Sequence, residues 1–159
     1  MRRVAVCVVL ALLAAPEALA KPPLHGVLVA GQSLGGVRLG DSPATVRKRW
    51  GTFYGVCATC RVRTWYFTYR KVAPQGVAVE FRRGVVDAIY TLWQPPGWRS
   101  ETGLVLGAPI PTLPSLRQVD CSGYKAYVRR QGRTVTVYYV LDGKLWGFAL
   151  QRPDATVCR

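Results

Sequence analysis

Six segments of the chain, in two sets of three, are rich in apolar and aromatic residues, and apolar and polar positions alternate most clearly at 64–70 and 77–82. The segments are residues 64–70, 77–82 and 85–93 in the first set, and residues 124–130, 134–141 and 145–151 in the second. A turn signal separates the last two segments of each set, Arg83-Gly84 in the first and Asp142-Gly143 in the second. Alternation puts successive side chains on opposite faces of a strand. These segments and the turn signals between them therefore predict six main antiparallel strands with hairpin connections.

Each set of strands follows a segment with helix signals. In the first half, Ser42 is suited to cap a helix, Pro43 suits its first position, and Gly51 suits its end, so we expect a helix to about Trp50. In the second half, several prolines leave room only for a short turn or helix near residues 113–118. Each half is thus predicted to be a short helical segment followed by a three-stranded antiparallel sheet.

The two halves also share a glycine-bounded motif. Gly-Val-Arg-Leu-Gly at 36–40 recurs as Gly-Leu-Val-Leu-Gly at 103–107. We therefore expect an α+β fold of two tandem repeats, in which the helices cover one sheet face. The expected divisions are a secretory signal peptide over 1–20, an N-terminal extension over 21–32 with a short edge strand near 28–30, a first repeat over 33–93, a Pro/Gly linker over 94–101, and a second repeat over 102–159.

Four features of the first half resemble the SmpA/OmlA-like fold of the small lipoprotein of the outer-membrane β-barrel assembly machinery. They are Leu39-Gly40, the capped helix that ends at Gly51, the aromatic strand Thr64-Trp65-Tyr66-Phe67, and the hairpin over residues 79–86. Two such units in tandem resemble the secreted β-lactamase inhibitory protein family, over about residues 33–152. The resemblance supports the fold more than the function, and no individual site residue is carried over from it.

The first 20 residues have the pattern of a secretory signal peptide. Arg2 and Arg3 precede 12 apolar residues at 4–15, and the small residues Ala18 and Ala20 follow. A helix of 12 residues rises only about 18 Å, well short of the roughly 30 Å hydrocarbon core of a bilayer. We therefore expect a secreted, extracytoplasmic protein without a transmembrane span.

Four of the five cysteines lie outside that segment, and an even number in an oxidising compartment predicts two disulfides. We favour Cys57–Cys60, which are close in sequence, and Cys121–Cys158, which would tie the C-terminus to the second repeat. Three pairings are possible, and one across the halves, such as Cys60–Cys121, stays open.

Residues for catalysis are scarce, so we expect a protein that is not an enzyme and that holds no metal or cofactor. His25 is the one histidine and lies near the mature N-terminus, and the carboxylates are scattered. The Cys57-x-x-Cys60 motif leaves a thiol–disulfide oxidoreductase as an alternative. Working dithiol sites place the first cysteine at a helix N-terminus, whereas a strand follows this motif.

Aromatic residues on the predicted strands are the best candidates for a binding surface. Large rings with polar tips are enriched at binding sites, and Tyr66, Trp93, Tyr138 and Trp146 fall where one sheet face would carry them. Arg82 and Arg130 would lie at the rim. We therefore expect recognition of an envelope or secreted protein through an aromatic sheet face.

Positive charge supports a second candidate function. The chain has 22 Lys and Arg against 8 Asp and Glu, and removal of Arg2, Arg3 and Glu17 with residues 1–20 leaves 20 against 7, a net charge of +13. Such a protein would bind anionic wall polymers or lipid surfaces electrostatically. Nucleic acid fits neither the compartment nor any recognisable binding motif in the sequence.

Overall fold

The computed structural model describes residues 25–110 and 115–159, so the predicted signal peptide lies outside the described residues. The described residues form eleven β-strands and one α-helix. In chain order these are β1 (Gly26–Val29), β2 (Ser33–Leu34), α1 (Pro43–Trp50), β3 (Tyr54–Val56), β4 (Arg63–Phe67), β5 (Gly76–Arg82), β6 (Val85–Leu92), β7 (Trp98–Ser100), β8 (Arg117–Cys121), β9 (Tyr124–Gln131), β10 (Thr134–Leu141) and β11 (Lys144–Gln151).

Eight strands form one antiparallel sheet in which the two halves of the chain lie side by side. The strand order is β3-β4-β5-β6-β11-β10-β9-β8, so each half supplies four neighbouring strands. The halves meet where β6 pairs with β11, from Ala88↔Gln151 to Tyr90↔Ala149. A separate three-stranded sheet has the order β2-β1-β7, in which β1 and β7 are parallel.

The predicted α+β class is wrong, because the chain is mostly β. Strands make up 50% of the structure, and α1 is the one helix in the described residues. The second helical segment, predicted near residues 113–118, is contradicted at its end: residues 117 and 118 belong to strand β8, and Gln118 pairs with Tyr127 of β9. Residues 111–114 lie outside the described part of the chain. Prolines in that region disfavour a helix, and the residues after them complete the ladder of β9.

The predicted three strands in each half are also wrong, because β3 and β8 each add a fourth. Neither has a clear period-two apolar pattern, since β3 has three residues and β8 carries mostly polar ones. Strand β7 falls inside the segment interpreted as a linker, where Trp98 is buried in the core. Strand β1 falls inside the predicted extension and pairs with β7.

Helix α1 and the three-stranded sheet cover one face of the eight-stranded sheet. At the predicted helix start, Ser42 Oγ accepts a hydrogen bond from the Thr45 amide (3.1 Å), and at its end Trp50 Nε1 donates to the Gly35 carbonyl (2.8 Å). A Cβ at Gly35, where φ is +56°, would lie 2.8 Å from the Trp98 ring, so this close approach requires glycine. The largest fully buried side chains in this core are Trp65, Trp98, Phe67, Phe148, Leu28, Leu34, Ile89, Leu145 and Leu150.

The opposite face of the eight-stranded sheet carries a second apolar cluster. Residues 152–159, which we call the tail, partly cover it. Val157 of the tail packs against the cluster, and its carbonyl accepts a hydrogen bond from the Tyr139 hydroxyl (2.9 Å). Gln151 Nε2 donates to the Ala155 carbonyl (2.9 Å), which fixes the turn that leads into the tail. The cluster consists of Ala78, Tyr90, Ala126, Val128, Val135, Val137, Tyr139 and Ala149.

Both favoured disulfides are present. Cys57–Cys60 closes the loop between β3 and β4, and Cys121–Cys158 ties the tail to the outer strand β8, each with a Cα–Cα distance of 5.5 Å. Disulfides are typical of proteins from oxidising compartments, whereas secretion itself stays a prediction. Within the described part of the chain, no helix has both the length and the hydrophobicity that a membrane crossing needs.

We expect the two disulfides to contribute unequally to stability. The Cys121→Ser/Cys158→Ser variant should lower the free energy of unfolding by about 4 kcal/mol, since this bridge closes the longer loop, and Cys57→Ser/Cys60→Ser by about 2 kcal/mol or less. The sequence separations are 37 and 3 residues. Urea unfolding of the oxidised proteins measures both values, and an equal loss in the two variants would contradict this account.

Candidate binding face

The sheet face under the tail carries most of the aromatic residues predicted to bind a partner. We call it the aromatic face and define it by Tyr66, Tyr90, Tyr124, Tyr139 and Trp146, all of which belong to or pack against the second apolar cluster. Tyr66, Tyr124 and Trp146 are half-buried there. Two strands of the first half, β4 and β6, and three of the second, β9, β10 and β11, thus supply these residues.

A β-bulge directs Trp146 toward this face. The β10–β11 register pairs Tyr139 with Gly147 and Val140 with Leu145, so Trp146 is the extra residue at the irregularity. Bulges of this kind re-aim side chains and increase local twist. The Trp146 ring lies 5.0 Å from Tyr124 and 6.0 Å from Tyr139, measured between centroids.

Trp93 lies beside the aromatic face and is more exposed than any of the residues that define it. Its side chain is 55% accessible, and its ring meets Trp146 edge-on at a centroid distance of 5.8 Å. Trp93 and Gln94 both have positive φ, 55° and 52°, which is an unfavourable conformation for residues with side chains. The chain therefore turns sharply after β6 and leaves the indole projecting from the sheet.

Tyr138 does not belong to the aromatic face. It pairs with Tyr127 and Phe148, points into the core under α1, and is 7% exposed. Burial raises the pKa of its phenol. Adjacent residues of a strand point to opposite faces, so one of Tyr138 and Tyr139 had to face each side. Tyr139 is the one on the aromatic face.

A buried ionic contact joins the tail to this face. Arg159 Nη1 lies 2.8 Å from Glu80 Oε1, and both side chains are 13% exposed. Arg159 Nη2 donates to Gln151 Oε1 (2.9 Å), and the guanidinium carbon lies 4.3 Å from the centroid of the Tyr90 ring. The planar cation is therefore held by one carboxylate, one amide and one aromatic face at the same time.

Small residues make room for this contact. Tyr90 pairs across the sheet with Ala78 on one side and Ala149 on the other, and Ala88 pairs with Gln151. Because alanine side chains stand low on the sheet, the Tyr90 ring stays open to a cation above it. Burial raises the pKa of Tyr90 well above its ordinary value, which keeps the phenol neutral beside Glu80.

The two predicted rim arginines have different surroundings. Arg82 is paired within the protein: its Nη1 lies 2.7 Å from Asp154 Oδ2 in the tail, and its Nε lies 3.4 Å from Asp87 Oδ2. Burial raises the pKa of Asp87, while Arg82 acts in the opposite direction. Arg130 is exposed near the end of β9 and pairs with Val135 of the second cluster. Arg130 thus lies at the opposite end of the sheet from Trp93, whereas Arg82 anchors the tail.

The Cys57–Cys60 loop borders the aromatic face at β4, where Cys60 Sγ lies 3.5 Å from the Tyr66 hydroxyl. The loop connects two strands, so it lacks the helix N-terminus that activates a thiol in dithiol enzymes. In residues 25–110 and 115–159, no group of three or more His, Cys, Asp and Glu side chains is arranged to hold a metal ion.

Several members of the aromatic face were missed by the sequence reasoning. Tyr90 and Tyr124 lie on predicted strands. Tyr66 and Tyr90 both pair with Ala78 of β5, so they share a sheet face, but this follows only once the hairpin register is known. Glu80 is not among the residues that the sequence predicts for the binding surface. The position of Arg159 has no signal in the pattern, because the tail follows the last alternating segment.

No family model matches this chain, and comparison with curated proteins and with solved structures gave no significant match. The resemblance to the SmpA/OmlA-like fold therefore stays a prediction that depends on the sequence motifs alone.

Stability should fall at alkaline pH because of Tyr139. Burial raises the pKa of Tyr139 to about 12, above the ordinary value of about 10 for a tyrosine. The raised pKa favours the folded protein below about pH 10, and this contribution is lost as pH rises through about 12. We expect Tyr139→Phe to reduce the slope of unfolding free energy against pH in that range by up to about 1.4 kcal/mol per pH unit. Urea unfolding from pH 9 to 12 measures the slope, and identical slopes would disprove the assignment.

Proposed function

We propose that this protein is a secreted, non-catalytic binding protein that recognises another envelope or secreted protein through the part of the aromatic face around Trp93 and Trp146. The observation that carries the proposal is the exposed Trp93 ring, which rests edge-on against the half-buried Trp146. An exposed indole supported by other rings is preorganised, so little conformational entropy is lost when a partner covers it.

The surroundings of Trp93 support a protein partner. Tryptophan and tyrosine dominate the residues whose removal weakens protein interfaces, and they act best at the centre of a patch. Trp146, Tyr124 and Tyr139 form a continuous aromatic base beside Trp93. The partner would be a protein with an apolar pocket for the indole and, given the basic character of this chain, an acidic rim.

Two alternatives make different predictions. Electrostatic binding of anionic wall polymers or lipid surfaces draws support from the excess of basic residues. Such binding would weaken steeply with salt, whereas an apolar interface would persist. Thiol–disulfide exchange at Cys57 and Cys60 draws little support from a disulfide placed between two strands.

Trp93→Ala should weaken partner binding at least about thirtyfold, which corresponds to the 2 kcal/mol or more typical of a tryptophan at the centre of an interface. The full chain is expressed with its leader, purified in oxidised form and immobilised. Native envelope extract and culture medium are passed over it, and bound proteins are quantified after washes of rising salt.

The matched control is Val105→Ala, because Val105 is also an exposed apolar residue (47%) but lies outside the aromatic face. Support requires a defined protein that is held at high salt by the parent and by Val105→Ala but lost by Trp93→Ala. Equal capture by all three proteins, or release of mixed anionic material at modest salt, would overturn the aromatic-face proposal.

A further inference from the structure

One part of the chain combines basic residues with a complete lack of acidic ones. Residues 42–79 contain seven Lys and Arg and no Asp or Glu. The segment forms α1, β3, β4 and the turn into β5, at one edge of the eight-stranded sheet. All seven basic residues are exposed, and among the described residues only Arg49 forms a salt bridge, to Asp41 at 3.6 Å. The positive charge there is therefore largely uncompensated.

The same segment exposes large apolar side chains. Of the seven exposed large hydrophobic residues in the described part of the chain, four lie within it, and the two most exposed are Val72 (97%) and Phe53 (75%). Val72 stands in a tight turn closed by a hydrogen bond from the Ala73 amide to the Arg70 carbonyl (3.2 Å). Arg70 and Lys71 precede it directly in the sequence.

The strand register brings Phe53 to the same end of the sheet as this turn. Tyr54 pairs with Phe67, so Phe53 lies beside the residues that follow β4. The turn patch, which we define as Phe53, Tyr69, Arg70, Lys71 and Val72, therefore combines three exposed apolar or aromatic side chains with two exposed cations. Neither Val72 nor Phe53 contributes to the core, so packing among the described residues does not account for apolar side chains at these positions.

We propose that the turn patch binds the surface of an anionic phospholipid bilayer, with Phe53 and Val72 inserted at the level of the acyl chains and Arg70 and Lys71 on the phosphate groups. A bilayer offers anionic and apolar layers at adjacent depths, which matches cations placed directly beside apolar side chains on a projecting turn. A soluble polyanion would use the cations but leave both apolar side chains in water. Bilayer binding by the turn patch is a specific form of the electrostatic binding considered above. It does not depend on protein recognition by the aromatic face.

The test measures partitioning of the full, oxidised chain onto vesicles by sedimentation. The vesicles contain either phosphatidylcholine alone or phosphatidylcholine mixed with phosphatidylglycerol. The parent should bind only the anionic vesicles. Phe53→Ser/Val72→Ser should lower the partition coefficient about tenfold or more through loss of inserted apolar area, and Arg70→Gln/Lys71→Gln should lower it about tenfold through loss of two cations.

Matched controls separate the turn patch from the charge of the whole protein. Arg129→Gln/Arg133→Gln removes two exposed cations from the opposite end of the sheet, and Val105→Ser removes an exposed valine elsewhere. Both should bind anionic vesicles within about twofold of the parent. A gain of binding is also expected: Val72→Trp should bind more tightly, and its added fluorescence should be quenched by brominated lipids.

Three results would overturn the proposal: no binding to anionic vesicles, equal loss of binding in the Arg70/Lys71 and Arg129/Arg133 variants, or binding that is insensitive to Phe53→Ser/Val72→Ser. If binding is insensitive to Phe53→Ser/Val72→Ser and the protein also binds a soluble polyanion, the basic residues bind polymers and not a bilayer. Partner capture by the same variants separates this outcome from that of the aromatic face, because the turn-patch variants keep Trp93 and Trp146.

Discussion

The pairing of β6 with β11 is the contact on which the rest of the structure depends. It has only three Cα pairs, yet it joins four strands from each half of the chain into one sheet. Side-chain and backbone hydrogen bonds extend it at both ends: Thr91 Oγ1 accepts from the Phe148 amide (2.8 Å), and the Arg152 amide donates to the Asp87 carbonyl (3.0 Å). Because β6 and β11 pair, both the core under α1 and the aromatic face contain residues from both halves.

The tail also connects the two halves of the chain, on the aromatic face of the sheet. Cys158 is bonded to Cys121 on the outer strand of the second half, and the adjacent Arg159 pairs with Glu80 on β5 of the first half. A buried ion pair adds little net stability when its desolvation is counted, but removal of one partner leaves a buried charge and is strongly unfavourable. The Arg159–Glu80 contact therefore specifies how the two halves are joined more than it stabilises the fold. Ala78, Ala88 and Ala149 leave space for it.

The sequence could predict features that depend on local chemistry. Apolar segments and turn signals located the six main strands, Ser42 and Pro43 located α1, and the cysteine pairs were the favoured ones. It could not predict which of Tyr138 and Tyr139 faces the core, since alternation fixes only that they differ. Nor could it predict the bulge at Trp146 or the edge strands β3 and β8, which exist because a neighbouring strand offers unpaired backbone groups. For the site, Tyr66 and Trp146 lie on the aromatic face and Trp93 contacts Trp146 beside it, whereas Tyr138 points into the core.

The antiparallel register explains why the exposed rings and the turn patch gather at one end of the sheet. Gly76 at the start of β5 pairs with Leu92 at the end of β6, so the β4–β5 turn and Trp93 leave the sheet on the same side. At the other end, the Arg83-Gly84 turn is held to the tail through Arg82 and Asp154. That end also carries the exposed cations Arg129, Arg130 and Arg133, whereas the end with Trp93 carries the two most exposed apolar side chains, Val72 and Phe53. The two proposed binding sites, around Trp93 and at the turn patch, therefore lie at the same end of the sheet, and under both proposals the bound surface meets the protein from that end.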